Sequence, residues 1–368
     1  MTWMMPVVLL LVLWALLRFL PAGMDGHRPL PYLIALTPFL WISAGLAAII
    51  AAVIGDRTSA IIAAFLALAV LGVEFAGHHR RSRRRRGQRP DEAMPGSEPS
   101  IATSYDTRDV DDAAGGQRTT LHLMTLNCRR GRADPEAVVA TVRARSVDVL
   151  ALQELTGDLV DRLEKAGLGT LLPHRQLGRD LPDDNGGFNG IWSRAAPTAT
   201  RNDAVDIPAA DTPSLTLSPA GRPVRFVSAH TKSPHRGCPQ WSRGIMGLGA
   251  LVTSRSGQEV DSGVGQGVGQ RPRRRDSQES ESLPDIVVLG DLNSSLDHPS
   301  FRALLGSGLR DAALEQGAGP VTTFPSWLRW PRIELDHVLM TPGIDAIEVL
   351  SLPVKGTDHL AVYADLAI

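Results

Sequence analysis

Three long stretches without a charged residue constrain this chain more than any other feature of its sequence. Residues 1–17, 29–55 and 58–73 contain no Asp, Glu, Lys or Arg, and the first includes VVLLLVLWALL. A bilayer core takes about 20 apolar residues per helix, with a range of about 17–25. The 27 residues of the second run exceed that length. The first and third are marginal, but Arg18 and Glu74 stand at their ends, where a charged side chain reaches the interface. A signal peptide would carry a basic start, which MTWMMP lacks, and two more apolar runs follow. We expect a membrane anchor over residues 1–79 with three transmembrane helices, Trp3, Trp14 and Trp41 as interfacial residues, and the lipid bilayer as a partner. Arg80, Arg81, Arg83, Arg84, Arg85, Arg86 and Arg89 follow the third run, and the positive-inside rule places such a cluster in the cytoplasm.

Residues 80–118 are rich in Arg, Pro, Ser and Asp with almost no apolar periodicity, which reads as a disordered tether. From 119 to 368, short apolar runs alternate with turns and helical patterns, the size of one domain. These 250 residues hold 26 basic and 29 acidic side chains, a net charge of −3, which argues against a protein that coats nucleic acid. A low-complexity stretch at about 255–284, with Arg271 and Arg273 to Arg275, reads as a solvated surface insertion. The two cysteines, Cys128 expected in the sheet and Cys238 in a loop, exclude a disulfide scaffold and a four-cysteine zinc module.

Strands are expected at LHLMTLN (121–127), DVLALQE (148–154), VRFVSAH (224–230), DIVVLGD (285–291), IELDHVLM (333–340) and LAVYADLAI (360–368), and a helix at 134–145. Strands alternating with helices indicate an α/β domain. Four strands end in a polar residue that a buried sheet would not choose: Asn127, Glu154, His230 and Asp291, with Asn293 two positions on. Sites in α/β sheets lie beyond the carboxyl ends of strands, so these residues point to one polar pocket. Asp336-His337 and Asp358-His359 add two Asp-His pairs. His337, next to Asp336 on a strand, is expected to face away from it. The remaining histidines, His235 and His298 among them, read as surface or core. Amide and carboxylate ligands suit a hard cation, Mg²⁺ or Mn²⁺. With histidines beside it, such a site is equipped to transfer a phosphoryl group to water. There is no G-x-x-x-x-G-K-[ST] loop and no G-x-S-x-G elbow, which argues against ATP-driven chemistry and serine esterases.

TLN (125–127), LQE (152–154), SAH (228–230), GDLN (290–293), ELDHVL (334–339) and GTDH (356–359) resemble, in order, the motifs of the endonuclease/exonuclease/phosphatase superfamily. The resemblance implies a four-layer α/β/β/α sandwich, two mixed β-sheets flanked by helices, and hydrolysis of phosphoester bonds. It implies Glu154 as the principal metal carboxylate, supported by Asn127, with Asp358 assisting. It implies His359 as general base or phosphate contact, oriented by Asp336. Asp291 and Asn293 would position water and phosphoryl oxygens, and His230 would act at the leaving oxygen. Arg129 stands where the repair-nuclease branch has an acidic residue, and Thr322 and Thr323 resemble a phosphate-contacting segment. The layout of three spans and this domain resembles actinobacterial membrane proteins linked to teicoplanin-type resistance, whose catalytic domain faces outward. That placement opposes the positive-inside reading, so the side of the membrane stays open. The implied substrates are a lipid-linked phosphate or pyrophosphate, or nucleic acid in a membrane-anchored nuclease. A non-catalytic scaffold on the same fold would be expected to lose one of Glu154, Asp291 or His359, and all three are present.

Overall fold

The computed structural model describes residues 3–79, 110–111, 117–181, 186–256, 284–317 and 319–368. Most of the expected tether, its arginine cluster and nearly all of the low-complexity insertion lie outside the described residues.

The first charge-free run forms α1 (Met5–Leu16). The second does not form one helix. It breaks into α2 (Leu30–Ala35), a 3₁₀ turn at Thr37–Phe39 and α3 (Leu40–Val53). Pro29, Pro31 and Pro38 supply the reason, since proline removes a backbone donor and restrains the residue before it. The third run forms α4 (Arg57–His79). At 1.5 Å per residue, α1 and α3 extend only about 18 and 21 Å against a hydrocarbon core of about 30 Å. Among the described residues α4 alone is long and apolar enough to cross a bilayer, with a mean hydropathy of 1.7 over Arg57–Glu74. The expectation of three full-length spans therefore narrows to one, with two shorter apolar helices beside it. The three run antiparallel in sequence. Met4 N donates to Asp56 at one end (3.1 Å), and Arg18 meets Glu74 at the other (3.6 Å). The Trp14 indole N–H donates to Leu33 O of α2 (2.7 Å).

The remainder is built on two six-stranded mixed sheets. The first contains β1 (Thr120–Asn127), β2 (Val149–Leu155), β3 (His174–Leu177) and β4 (Phe188–Ser193). The second contains β5 (Ala199–Arg201), β6 (Ser214–Leu217), β7 (Val224–His230), β8 (Asp285–Asp291), β9 (Arg310–Asp311) and β10 (Asp336–Met340). The final pair, β11 (Asp345–Leu352) and β12 (Ala361–Ala367), returns to the first sheet. The strand orders are β11-β12-β1-β2-β4-β3 and β9-β10-β8-β7-β6-β5. β1 with β2 and β7 with β8 are parallel, and the other pairings within these sheets are antiparallel.

Alternating side chains divide each central strand between two cores. Leu123, Ala151, Phe226, Val287 and Val338 pack between the sheets. Met124, Leu126, Leu150 and Leu152 pack outward against α5 (Pro135–Ala144) and α6 (Gly157–Lys165). Val227, Ala229, Ile286 and Val288 pack against Trp241 and Ile245 of α7 (Pro234–Gly247) and Phe301 and Leu304 of α8 (Pro299–Gly306). Helix, sheet, sheet and helix give the four expected layers. The helix at 134–145 starts as read, with Asp134 accepting from Ala137 N to cap it. Cys238 lies inside α7 rather than in a loop, and both cysteines are free and buried.

The N-terminal segment docks on the second sheet's helices. The buried Asp25 carboxylate accepts from Ser300 N (2.8 Å) and Ser300 Oγ (2.5 Å) at the start of α8, where a helix favours negative charge. His298 Nε2 contacts Pro31 O (3.0 Å), and Arg18 pairs with Asp297 (2.8 Å).

Candidate active site

The period of two explains why the polar strand ends converge. Asn127 follows Leu123 and Thr125 on the inter-sheet face of β1, and His230, Asp291 and Asp336 stand likewise on β7, β8 and β10. Register then sets the last three side by side, because Asp291 is opposite both His230 and Asp336. Asn127 Nδ2 bridges the sheets by donating to Asp291 Oδ2 (2.9 Å), while its Oδ1 accepts from Arg129 N (2.8 Å).

Glu154 reaches this cleft by a different route. Simple alternation would aim it with Leu152 at the outer helices. Instead β2 shifts register against β4 between Leu152 and Leu155, and Glu154 takes a positive φ of 52°. A bulge re-aims a side chain in this way, and strain at a non-glycine residue marks a constrained site. Its carboxylate accepts from Arg130 N (2.8 Å) and lies 4.0 Å from His230 Nε2. Gly186 crosses over it so closely that a Cβ there would sit 2.8 Å from the carboxyl carbon, with a φ of 131°.

His359 precedes β12. Its Nδ1 meets Asp336 Oδ2 at 2.7 Å, and its Nε2 faces Asp291 Oδ2 at 3.7 Å. Asn293 N donates to Asp291 Oδ1 (2.8 Å), and Asn293 Nδ2 lies 3.4 Å from His230 Nε2. Asp358 is turned toward Arg129, with Oδ2 and Nε 3.3 Å apart. The structure thus brings all eight predicted residues, Asn127, Glu154, His230, Asp291, Asn293, Asp336, Asp358 and His359, to one strand-end edge.

The electrostatics divides the roles. Burial alone would lower the His359 pKa, but the adjacent Asp336 and Asp291 carboxylates override it and push it up to about 10. His230 shifts the other way, because burial outweighs the attraction of Asp291. Burial also raises the Asp291 and Glu154 carboxyls, opposed for Asp291 by His359 and for Glu154 by hydrogen bonds from Asn127 and Arg130 N.

A hard divalent cation fits the donor set. Glu154, Asp358 and the Asn127 amide offer oxygen ligands, and Glu154 is a half-buried carboxylate held above its ordinary pKa. Ligand atoms of Asp291, Asp336 and His359 also lie within 4.8 Å of one another. Within that trio Asp336 and His359 already hydrogen-bond each other (2.7 Å).

The cleft has a volume of about 450 Å³, and Arg129, Arg130, Arg132 and Arg236 contribute to its lining. Its other wall was not foreseen. Pro31, Tyr32 and Ala35 of the α2 segment line it, as does His235, which sequence reasoning set aside with the surface and core histidines. Phe324 packs on the His359 ring with centroids 5.1 Å apart. Thr323 is no phosphate contact: it is buried, with Oγ1 accepting from Leu335 N and Asp336 N (3.3 and 3.4 Å), and Thr322 lines a different cavity. His337 faces away from Asp336 as expected and pairs with Asp311 (2.8 Å).

Residues 124–359 match the model of the endonuclease/exonuclease/phosphatase family. No curated protein matches the chain by sequence. Among solved structures, a humanized D. rerio TDP2 is similar at 14% identity and a TM-score of 0.48, covering 67% of this chain and 98% of that one. A mannosyl-6-phosphatase from Bacteroides thetaiotaomicron is similar at 14% identity and 0.46, covering 67% and 100%. Sphingomyelinase C from Streptomyces griseocarneus is similar at 16% and 0.43, covering 67% and 99%. With the family model covering most of the chain and the strand-end residues gathered at one edge, the protein belongs to the endonuclease/exonuclease/phosphatase family, whose members hydrolyse phosphoester bonds and generally use a divalent metal.

Proposed function

We propose that this protein is a membrane-anchored, divalent-metal-dependent phosphoesterase acting on a lipid-linked phosphate or pyrophosphate. The observation that carries the reading is the cleft wall. Pro31, Tyr32 and Ala35 belong to a segment set between apolar helices, so the catalytic edge and the helices share one boundary. Those helices expose Leu10 (66%), Val53 (81%) and Phe65 (72%), surface that suits hydrocarbon rather than water. In this reading α4 crosses the bilayer and the shorter apolar helices α1 and α3 embed beside it.

Glu154 and Asp358, with Asn127, would hold Mg²⁺ or Mn²⁺, which supplies charge neutralisation at the phosphoryl oxygens. His359 is held protonated by Asp336 and Asp291 and donates from Nε2 to a phosphoryl oxygen. Asp291, whose raised pKa makes it the better base, accepts the proton of the attacking water, which Asn293 orients. The bond from phosphorus to the leaving oxygen breaks as the new P–O bond forms. His230 stays neutral and hydrogen-bonds the leaving oxygen.

The arginines lining the cleft would also suit nucleic acid, so a membrane-anchored nuclease is the second reading. The full chain in detergent is to be offered polyprenyl pyrophosphate, sphingomyelin, inositol phosphates and plasmid DNA with Mg²⁺ or Mn²⁺. Phosphate release from the lipid substrate alone supports the first reading, and DNA cleavage without it supports the second. No turnover of any would favour a non-catalytic scaffold. A C-terminal reporter active on one side of the membrane assigns the side that the domain faces.

A further inference from the structure

A second cavity of about 400 Å³ adjoins the catalytic cleft, sharing Ala35 and Ile333 with it. That volume is within the range of small-molecule sites. One side comes from the helices, through Phe39 and Trp41 of the α3 region and Leu71 and Val73 of α4. The other comes from the catalytic domain, where Trp330 meets Phe39 edge-on with centroids 5.8 Å apart. The lining also holds Arg18, Glu74, Asp297, Arg329, Arg332 and Glu334, most of them engaged with one another or with backbone. Arg18 bonds Asp297 (2.8 Å) and approaches Glu74 (3.6 Å), Arg332 donates to Ser326 O (3.2 Å), and Glu334 accepts from Val321 N (3.3 Å).

We propose that this cavity is the subsite for the substrate's hydrocarbon tail, so that the ligand is a long-chain prenyl or acyl phosphate whose head lies at Glu154 and His359. Three observations carry it: aromatic and aliphatic walls, a shared boundary with the catalytic cleft, and one wall built from helices whose outer faces are apolar. In this arrangement a chain leaving the bilayer along α4 reaches the cavity at Leu71 and Val73. The inference rests on the phosphoesterase reading for the head group and adds where the tail is bound.

The test uses the full chain in detergent with Mg²⁺ present to seat the head group and photolysis at once on mixing, so that binding is read before turnover. A prenyl monophosphate carrying a diazirine at its tail end is photolysed and the labelled residues are mapped. Label on Phe39, Trp41, Leu71, Val73 or Trp330, displaced by excess unlabelled prenyl phosphate, is the expected result. Label spread over Leu10, Val53 and Phe65 without competition overturns it. Independently, Leu71→Trp and Trp330→Ala should each lower kcat/KM for the long-chain phosphate at least tenfold relative to the same head group on a two-carbon chain. A ratio unchanged in both variants overturns the subsite. Cavity labelling without hydrolysis of any phosphate would leave the subsite standing and sink the phosphoesterase reading. Hydrolysis with scattered label would do the reverse.

Discussion

The sandwich and the N-terminal helices break the ordinary rule of burial in opposite senses. At the strand ends, polar groups are buried: Asn127, His230, Asp291 and Asp336 lie at 3% exposure or less. Along α1, α3 and α4, large apolar side chains are exposed, Val53 at 81%. Buried polar groups persist because each is held by a neighbour, and the exposed apolar ones are the surface that the proposed anchoring would place in hydrocarbon. Between the two regions, Ala35 lines both the strand-end cleft and the cavity beside it.

The strongest way to break this comparison is to remove one side of it. Glu154→Ala or His359→Ala should lower turnover at least ~100-fold with the native circular dichroism spectrum retained, and EDTA should abolish activity until Mg²⁺ or Mn²⁺ is restored. Full activity in EDTA would refute the cation assignment. Next in size is the joint. Asp25→Ala leaves the Ser300 amide and hydroxyl without their acceptor, a loss of roughly 1–3 kcal/mol. The expected result is faster proteolysis between residues 18 and 30, read by mass spectrometry. An unchanged cleavage pattern would mean that the docking does not depend on this contact.

A smaller effect sharpens the contrast within the sandwich. His337, paired with Asp311, has its pKa pushed up to about 9, so its stabilising contribution is complete below about 6.5 and disappears as pH rises through 9. Glu334, raised by burial to about 7, loses stability in the same direction between about 4.5 and 7, so the measurement belongs above pH 7. Urea midpoints from pH 7 to 10 should fall more steeply for the native chain than for His337→Gln; parallel curves would reject the linkage. The smallest expected change is Arg129→Ala, which removes a half-exposed partner of Asp358 and should raise KM about fivefold with kcat little altered, on the order of 1 kcal/mol.

Much of the site was legible because it obeys local rules. Apolar strands ending in Asn127, His230 and Asp291 have a period of two, and that period places those side chains on one face wherever the strands lie. The same alternation gives the wrong direction for Glu154, whose aim depends on a bulge and on the loop through Gly186 and Gly187. β4 was also missed, since FNGIWS follows directly on a turn-like segment and lacks a regular polar alternation. The 27-residue apolar run counted as one span, although the prolines within it held the contrary signal.

The sequence by itself determined the family, the strand-end residues and the apolar character of the first eighty positions, because motif order, side-chain alternation and hydropathy are properties of the chain alone. Only the tertiary structure decided that Asp291 stands between His230 and Asp336, that Glu154 turns into their cleft, and that α2 walls it. Those are relations of register, of backbone strain and of long-range contacts such as Asp25 with Ser300, which no local pattern encodes.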